Sequence, residues 1–480
     1  MATAQVRLRE FLPNARELAL LFAARGLACV AAWESGFRAL SDDDYARISI
    51  AQGFAQLPRL DPTGTSWLPA PFWAYGAAFR LFGHGLEVAR ATAIAASLAA
   101  TVLVYVAARL LGAGAVGAIL AGAMSCLLVP YSACLGLAAV PEVPCAALSL
   151  LGAACLARAE LRLRAWGALA LLAACLSRYE VWPIAFVFFG FTLCDVFKRR
   201  GYGFVGCALL AIAGPALWIL LGRLEHGHAF FFVARVTDYR KALGGAQASL
   251  LQRLIEYPKL LLLDAPAVLG PLLVLPFLRP RTVLTPYVRS AWALLAMLAF
   301  LMLGSVRGGV PTHHAGRVLL PIWFFGCVAC GNGIALAQTA QARRGRWAPL
   351  VLAVFFVINL FNRRFLGGFA ERSKELEAGS AARQFTSSNL AIDTPDYGYT
   401  AVQAAFGTPI STRALDEHDP RHSAPDPFAS PQALETALRE HGARFVLVTT
   451  KHAPLLADGF TELWRSDAFV LFAWKPRAQS

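Results

Sequence analysis

From its start to about position 362, the chain alternates long apolar runs with short polar segments, most of them basic. A helix needs about 20 apolar residues to cross roughly 30 Å of hydrocarbon. On that measure the pattern predicts about eleven spans, ten or twelve being the alternatives. They cover residues 17–34, 86–110, 113–130, 143–158, 165–177, 181–197, 202–222, 258–278, 288–304, 317–338 and 347–362. Two depart from clean hydropathy: the first contains Arg25, and the eighth contains Asp264 and Pro266. The fifth offers only the stretch Trp166 to Ser177, which reaches about 18 Å and falls short of a crossing. After position 362 the pattern changes. Short β-rich runs at 390–393, 410–415, 445–449 and 469–474 are separated by helical stretches near 400–406 and 431–441, the order of a small α/β layer domain. The expected fold class is a polytopic α-helical membrane protein whose domains are 1–362, with a first outer loop at 35–85, and a C-terminal extracytoplasmic α/β domain at 363–480.

Composition agrees. Of 480 residues, 57% are hydrophobic and 15% charged, against about 45–50% and about 25% in soluble globular chains. Residues 1–362 hold 31 basic and 16 acidic side chains, and 363–480 hold 13 and 14, so the excess of +14 belongs to the membrane part. There it holds loops against anionic headgroups and can serve an anionic substrate. No basic run interleaved with aromatics points to nucleic acid. With the N terminus cytoplasmic, every dense basic cluster falls inside: Arg158, Arg162 and Arg164; Lys198, Arg199 and Arg200; Arg279, Arg281 and Arg289; Arg343, Arg344 and Arg346. The loops 35–85, 223–257 and 305–316 and the whole tail then face outward. The first apolar run lacks a clear cleavage site and reads as an uncleaved helix.

All ten cysteines lie between Cys29 and Cys330, mostly within apolar runs, which argues against a disulfide framework. Cys327 and Cys330 form a CxxC inside an apolar helix, where it reads as two small buried side chains. Gly201, Gly203 and Gly206 satisfy GxGxxG. They follow a basic loop and precede a span, outside the strand and βαβ context that gives the motif meaning.

Candidate chemistry gathers on the outward side. Ser41 followed by Asp42, Asp43 and Asp44 fits a variant capping box with acidic residues in the first turn. Arg47 is placed for simple surface pairing with Asp43 or Asp44. Three adjacent carboxylates also repel one another and raise the pKa of at least one, which suits a general base or a metal site. Residues 67–83 are aromatic and apolar, ending in Arg80 and His84, and read as an interfacial helix, a further span being the alternative. Arg178, Tyr179 and Glu180 follow the short fifth span. They either line a cavity near hydrocarbon depth or snorkel to the surface. Glu142, bracketed by Pro141 and Pro144, is a candidate cavity wall. Arg317, opening an apolar helix, suits a phosphate or an interfacial anchor. His313 with His314, and His226 with His228, have poor spacing for a metal. No ligand set is assigned, although a divalent cation is left open. In the tail, Asp393, Asp396, Tyr397 and Tyr399 follow the first strand, where α/β layers place ligands, or form a polar turn.

In combination and order, these features resemble the GT-C superfamily of membrane glycosyltransferases, close to the protein O-mannosyltransferase and aminoarabinose transferase branch. The resemblance rests on Asp42, Asp43, Asp44 and Tyr45 as the acidic motif, on Trp67, Leu68 and Pro69 opening the aromatic helix, and on Arg178, Tyr179 and Glu180. It is completed by Arg317, Val318, Leu319, Leu320 and Pro321, matching an Arg-Tyr-Leu-Leu-Pro element with Val for Tyr. The usual Asp-Glu pair is three Asp here. The resemblance implies a bacterial inner-membrane transferase with a periplasmic tail, moving a sugar from a polyprenyl-phosphate donor to a glycan, lipid or protein acceptor. It implies an Asp base, Asp43 or then Asp44 with Asp42 beside them, and a substrate site including Tyr45, Trp67, Glu142, Arg178, Tyr179, Glu180, His314 and Arg317. The rival class is a lipid or sugar flippase. It would show paired inverted repeats with broken helices, and no such symmetry is evident in the sequence.

Overall fold

The computed structural model describes residues 8–129, 131–242, 249–264, 280–307, 315–338, 369–387, 389–415, 426–456 and 459–475. His313 and His314, the eleventh span at 347–362 and most of the eighth lie outside these residues.

The N-terminal part is helical: α1 (Ala15–Glu34), α2 (Asp42–Gln56), α3 (Ala70–Phe82), α4 (Leu86–Leu110), α5 (Ala115–Leu127), α6 (Ser132–Leu135), α7 (Glu142–Cys155), α8 (Leu161–Cys175), α9 (Trp182–Asp195), α10 (Gly203–Glu225), α11 (Phe231–Ala242), α12 (Leu250–Asp264), α13 (Pro280–Arg307) and α14 (Leu320–Gln338). Five helical stretches among the described residues are long and apolar enough to cross a membrane: 86–110, 179–198, 203–225, 286–307 and 315–333. The architecture is that of a polytopic helical membrane protein. The count of eleven is not reproduced, because α5 and α7 are shorter apolar helices and the eleventh span is outside the described residues.

Small residues let the helices approach, the usual device where lipid cannot drive association by the hydrophobic effect. α14 lies so close to α5 that a Cβ on Gly331 would sit 2.2 Å from the carbonyl oxygen of Gly117. Cys327 and Cys330 are fully buried on this helix. The fifth span begins earlier than its hydropathy indicates, at Leu161, because Arg164 is not in a loop. It is buried inside α8 and its guanidinium donates to Asp195 Oδ2 at 2.7 Å and Thr192 Oγ1 at 2.9 Å. Arg25 is buried likewise in α1, donating to Thr101 Oγ1 and to the carbonyl and hydroxyl of Ser132. Hydropathy registers a charge and not its partners, which is why both helices looked compromised. The aromatic segment forms the 13-residue α3, about 20 Å long and too short for the alternative of a further span.

The tail holds α15 (Ser373–Phe385), α16 (Tyr399–Phe406) and α17 (Pro431–Glu440) with strands β1 (Leu390–Ile392), β2 (Thr412–Ala414), β3 (Phe445–Thr449), β4 (Phe460–Arg465) and β5 (Phe469–Trp474). The sheet order is β2-β1-β3-β5-β4, with β2, β1 and β3 parallel and β4 and β5 antiparallel additions. The four expected strands and two helices are present. β4 and α15 are additional. β4 is an edge strand with largely exposed side chains, so it lacks the apolar run that marks β3 and β5. The apolar faces of α15 and α16 meet across Gly379, where a Cβ would lie 2.4 Å from the Val402 carbonyl oxygen.

Candidate active site

The turn 178–181 and the turn 315–319 lead into α9 and α14, and α2 and α7 begin at Asp42 and Glu142. The starts of these four helices converge, as their side-chain contacts show. Each helix start presents unpaired N–H groups and a partial positive charge, a setting that favours both carboxylates and an anionic ligand.

Glu142 is at the centre, with a side chain 1% exposed. Its Oε1 accepts from Arg178 Nη1 at 2.5 Å, while Arg178 Nε donates to Glu180. Arg317 approaches the same Glu142 oxygen with Nε at 3.5 Å and Asp43 Oδ2 with Nη2 at 3.6 Å. Those distances exceed the roughly 2.7–2.9 Å of a charge-assisted hydrogen bond. Among the described residues, the buried Arg317 Nε and Glu142 Oε2 have no hydrogen-bond partner. The cluster is therefore tight on its Arg178 side and loose on its Arg317 side. Arg178 and Glu180 point inward and do not snorkel; both side chains are nearly buried.

The three aspartates divide. Asp42 is bound bidentately by Arg372. Asp44 is buried, and its Oδ2 accepts from the Leu40 N–H at 2.7 Å. Burial pushes its carboxyl from an ordinary 3.8 to about 7, against the lowering influence of the Leu40 N–H and Arg317. Asp43 keeps 45% of its side chain exposed and faces Arg317. The capping box is corrected in detail: Ser41 makes no side-chain cap, its hydroxyl being buried without a partner, and Asp44 caps one residue further back.

Arg47 does not pair at the surface. It is buried with its guanidinium 4.3 Å from the Trp67 ring centroid and 5.7 Å from that of Phe72, so Trp67 and α3 serve as its platform. Tyr45 is buried in an apolar cluster with Ile48, Phe72, Tyr75 and Phe79, a packing position. The Tyr179 hydroxyl donates to the Ser66 carbonyl and accepts from Trp218 Nε1, with its ring stacked on Phe232. Tyr179 thus ties the segment before α3 to α9, α10 and α11.

Backbone geometry places Arg317. A Cβ on Gly316 would lie 2.7 Å from Asp264 Oδ2 and 3.3 Å from Tyr131 Cε2. Tyr131 itself has φ of 63°, an uncommon left-handed conformation for a non-glycine residue.

Neither a family model nor a characterised relative matches the sequence. Solved structures do match. ArnT from Cupriavidus metallidurans bound to undecaprenyl phosphate superposes with a TM-score of 0.62 at 14% identity over 96% of this chain and 98% of that one. The same protein in its apo state gives 0.57 at 14% identity over 93% and 97%. The fold is that of ArnT. The likeness to ArnT spans both helices and tail, and at this identity it is a likeness of fold. It agrees with the GT-C resemblance drawn from Asp42–Tyr45, Trp67–Pro69, Arg178–Glu180 and Arg317–Pro321.

On this ArnT-like scaffold three features went unread in the sequence. Arg47 reads as a surface ion-pair residue in the sequence because its aromatic platform, Trp67, is 20 residues away in the chain. Arg372 carries no local motif. Asp61, Glu225 and His226 bring ligand atoms within 4.8 Å of one another beside a cavity of about 570 Å³, a donor set able to hold a divalent cation. In the sequence His226 stands beside His228, whereas its partner in the fold is Asp61 Oδ2 at 3.1 Å.

Proposed function

We propose that this protein is a membrane glycosyltransferase taking its sugar from a polyprenyl-phosphate-linked donor and placing it on an acceptor hydroxyl at the outer face of a bacterial inner membrane. The observation that carries the reading is Arg317: a buried guanidinium, loosely held, beside the half-exposed carboxylate of Asp43. An ArnT-like fold supports it, since one of the matching ArnT structures holds undecaprenyl phosphate.

In this mechanism the acceptor oxygen attacks the anomeric carbon from the face opposite the phosphate, giving inversion. Its proton passes to Asp43 Oδ2. The bond from the anomeric carbon to the phosphate oxygen breaks with its electron pair on that oxygen, so the departing lipid phosphate gains one negative charge. Arg317 meets that charge with Nε–H and Nη–H groups not committed to short bonds, and Arg178 and Arg47 supply further positive potential. Glu142 and Glu180 fix Arg178. The N-terminal domain 1–362 carries the site, and the tail 363–480 lies on the periplasmic side with the N terminus cytoplasmic.

The test is transfer of labelled sugar from defined polyprenyl-phosphate sugars to envelope acceptors. Wild type transfers from at least one donor. Asp43→Asn lowers kcat by about 10²–10⁴-fold while binding polyprenyl phosphate normally. Wild-type membranes that move the lipid across the bilayer and transfer no sugar would establish the flippase instead.

A further inference from the structure

Among the described residues Asp43 makes no side-chain hydrogen bond, and its close charged partner is Arg317 at 3.6 Å. Its aim is set by the backbone of the first turn of α2, which is held at two points. One is Asp44 on the Leu40 N–H. The other comes from the tail. Arg372 Nε and Nη2 donate to Asp42 Oδ1 and Oδ2, both at 2.8 Å, while Nη1 donates to Glu375 Oε1 at 3.1 Å and lies 3.0 Å from Asp396 Oδ1. A bidentate Arg–carboxylate pair fixes direction as well as distance. These bonds raise the affinity of Arg372 for its proton well above the ordinary value, the Asp42 hydrogen bond contributing most.

The contact continues along the helix. Ala370 N–H donates to the Ala39 carbonyl, Ser49 Oγ to the Thr400 carbonyl, and Gln52 Nε2 to the Ala404 carbonyl. Ala401 and Ala404 of α16 share the apolar cluster of Tyr45, Ile48 and Phe72. α16, eight residues or about two turns long, thus lies along α2.

We propose that the tail is part of the catalytic apparatus, with Arg372 as a positioning residue that aims Asp43 by clamping Asp42 and that screens Asp43 from the charge of Asp42. This rests on the transferase reading above. The charged groups around Asp43 are Arg317, Asp42 and Asp44, with Glu142, Arg178 and Arg47 in the adjoining cluster. Releasing Asp42 from Arg372 adds an unscreened like charge, which raises the pKa of the base.

The experiment uses full-length protein in proteoliposomes with a polyprenyl-phosphate sugar donor. In Arg372→Gln, kcat falls about 10- to 100-fold, the cost of a misaimed group. Donor KM and polyprenyl monophosphate binding remain within about twofold of wild type, and the acidic limb of the kcat/KM profile moves to higher pH. Arg372→Gln with Asp42→Asn returns that limb to its wild-type position. Arg372→Lys retains the limb but not the full kcat, since an ammonium lacks the fork. An Arg372→Gln enzyme with unaltered kcat and pH profile overturns the proposal while Asp43→Asn remains inactive and the transferase reading stands. Loss of kcat together with polyprenyl monophosphate binding, with no movement of the limb, also overturns it, because the contact is then only structural. A wild type that binds polyprenyl monophosphate and transfers from no donor fails the transferase reading, and this proposal with it.

Discussion

Two clusters of arginine and carboxylate lie at opposite ends of the same helices, and they are built differently. At one end Asp195 accepts from Arg164 at 2.7 Å and from Arg289 at 2.7 and 3.0 Å, with Arg164 also donating to Thr192 and to the carbonyls of Leu156 and Arg158. The bonds to Asp195 are all 3.0 Å or shorter, although Arg289 reaches the Leu156 carbonyl only at 3.5 Å. At the other end, about 22 Å along α9 at 1.5 Å per residue, Arg317 stands 3.5 and 3.6 Å from its carboxylates with a buried N–H unbonded. A buried charge left partly unsatisfied is costly. The first cluster meets that cost with internal bonds and has no capacity left for a ligand. The second leaves capacity, which an incoming anion would fill. Bond length separates a structural charge from a functional one here, whereas residue type does not.

Removing the partner from the closed cluster gives the largest expected effect. Asp195→Ala leaves two guanidiniums facing each other, one of them fully buried, and should cost about 3–5 kcal/mol of stability. Thermal unfolding in detergent reads this as a large drop in midpoint, while protein that remains folded keeps its donor KM. An Asp195→Ala protein as stable as wild type would erase the distinction between the two ends.

The open cluster should respond the other way. Arg317→Ala removes a cation that is scarcely bonded in the resting protein, so its unfolding midpoint stays near wild type. Its kcat falls about 10²–10³-fold if it meets the developing phosphate charge. Arg178→Ala should lose both stability and activity, because Glu142 and Glu180 depend on it. Should Arg317→Ala destabilise as much as Arg178→Ala, the looseness of Arg317 has no functional meaning.

The same difference explains how far the sequence could be read. Apolar runs and their flanking charges marked most helices, since hydropathy depends on residues near in sequence. Short apolar, β-rich runs marked β3 and β5 for the same reason. Asp42–Asp44, Arg178–Glu180 and Arg317 stood out because charges at helix ends are locally unusual. The division of labour among the three aspartates was not legible: it depends on Arg372, 330 residues from Asp42, and on the burial of Asp44 beneath Leu40. Arg164 reads as one of a basic cluster flanking the span because its partner, Asp195, comes 31 positions later. Local rules find the charges; only the packing says which are already spent.

Asp44 gives the smallest effect and the finest test, since it belongs to the open cluster yet is buried as completely as Asp195. Asp195 has two cations, whereas the Asp44 carboxyl has one N–H donor on Oδ2 and none on Oδ1. Burial therefore lifts its pKa to about 7. A folded-state pKa above the unfolded value means that the native protein holds the proton more tightly. The resulting stabilisation is complete below about pH 4 and is lost as pH rises through 7. Asp44→Asn can still accept from the Leu40 N–H but cannot ionise, so its unfolding midpoint should fall less than that of wild type between about pH 4 and pH 7, the window set by the two pKa values. Equal slopes would mean that Asp44 is ionised in the folded protein and repels Asp43 throughout. A flatter slope in the variant would show that it is largely neutral below pH 7, leaving Asp43 as the charged carboxylate of that turn facing Arg317.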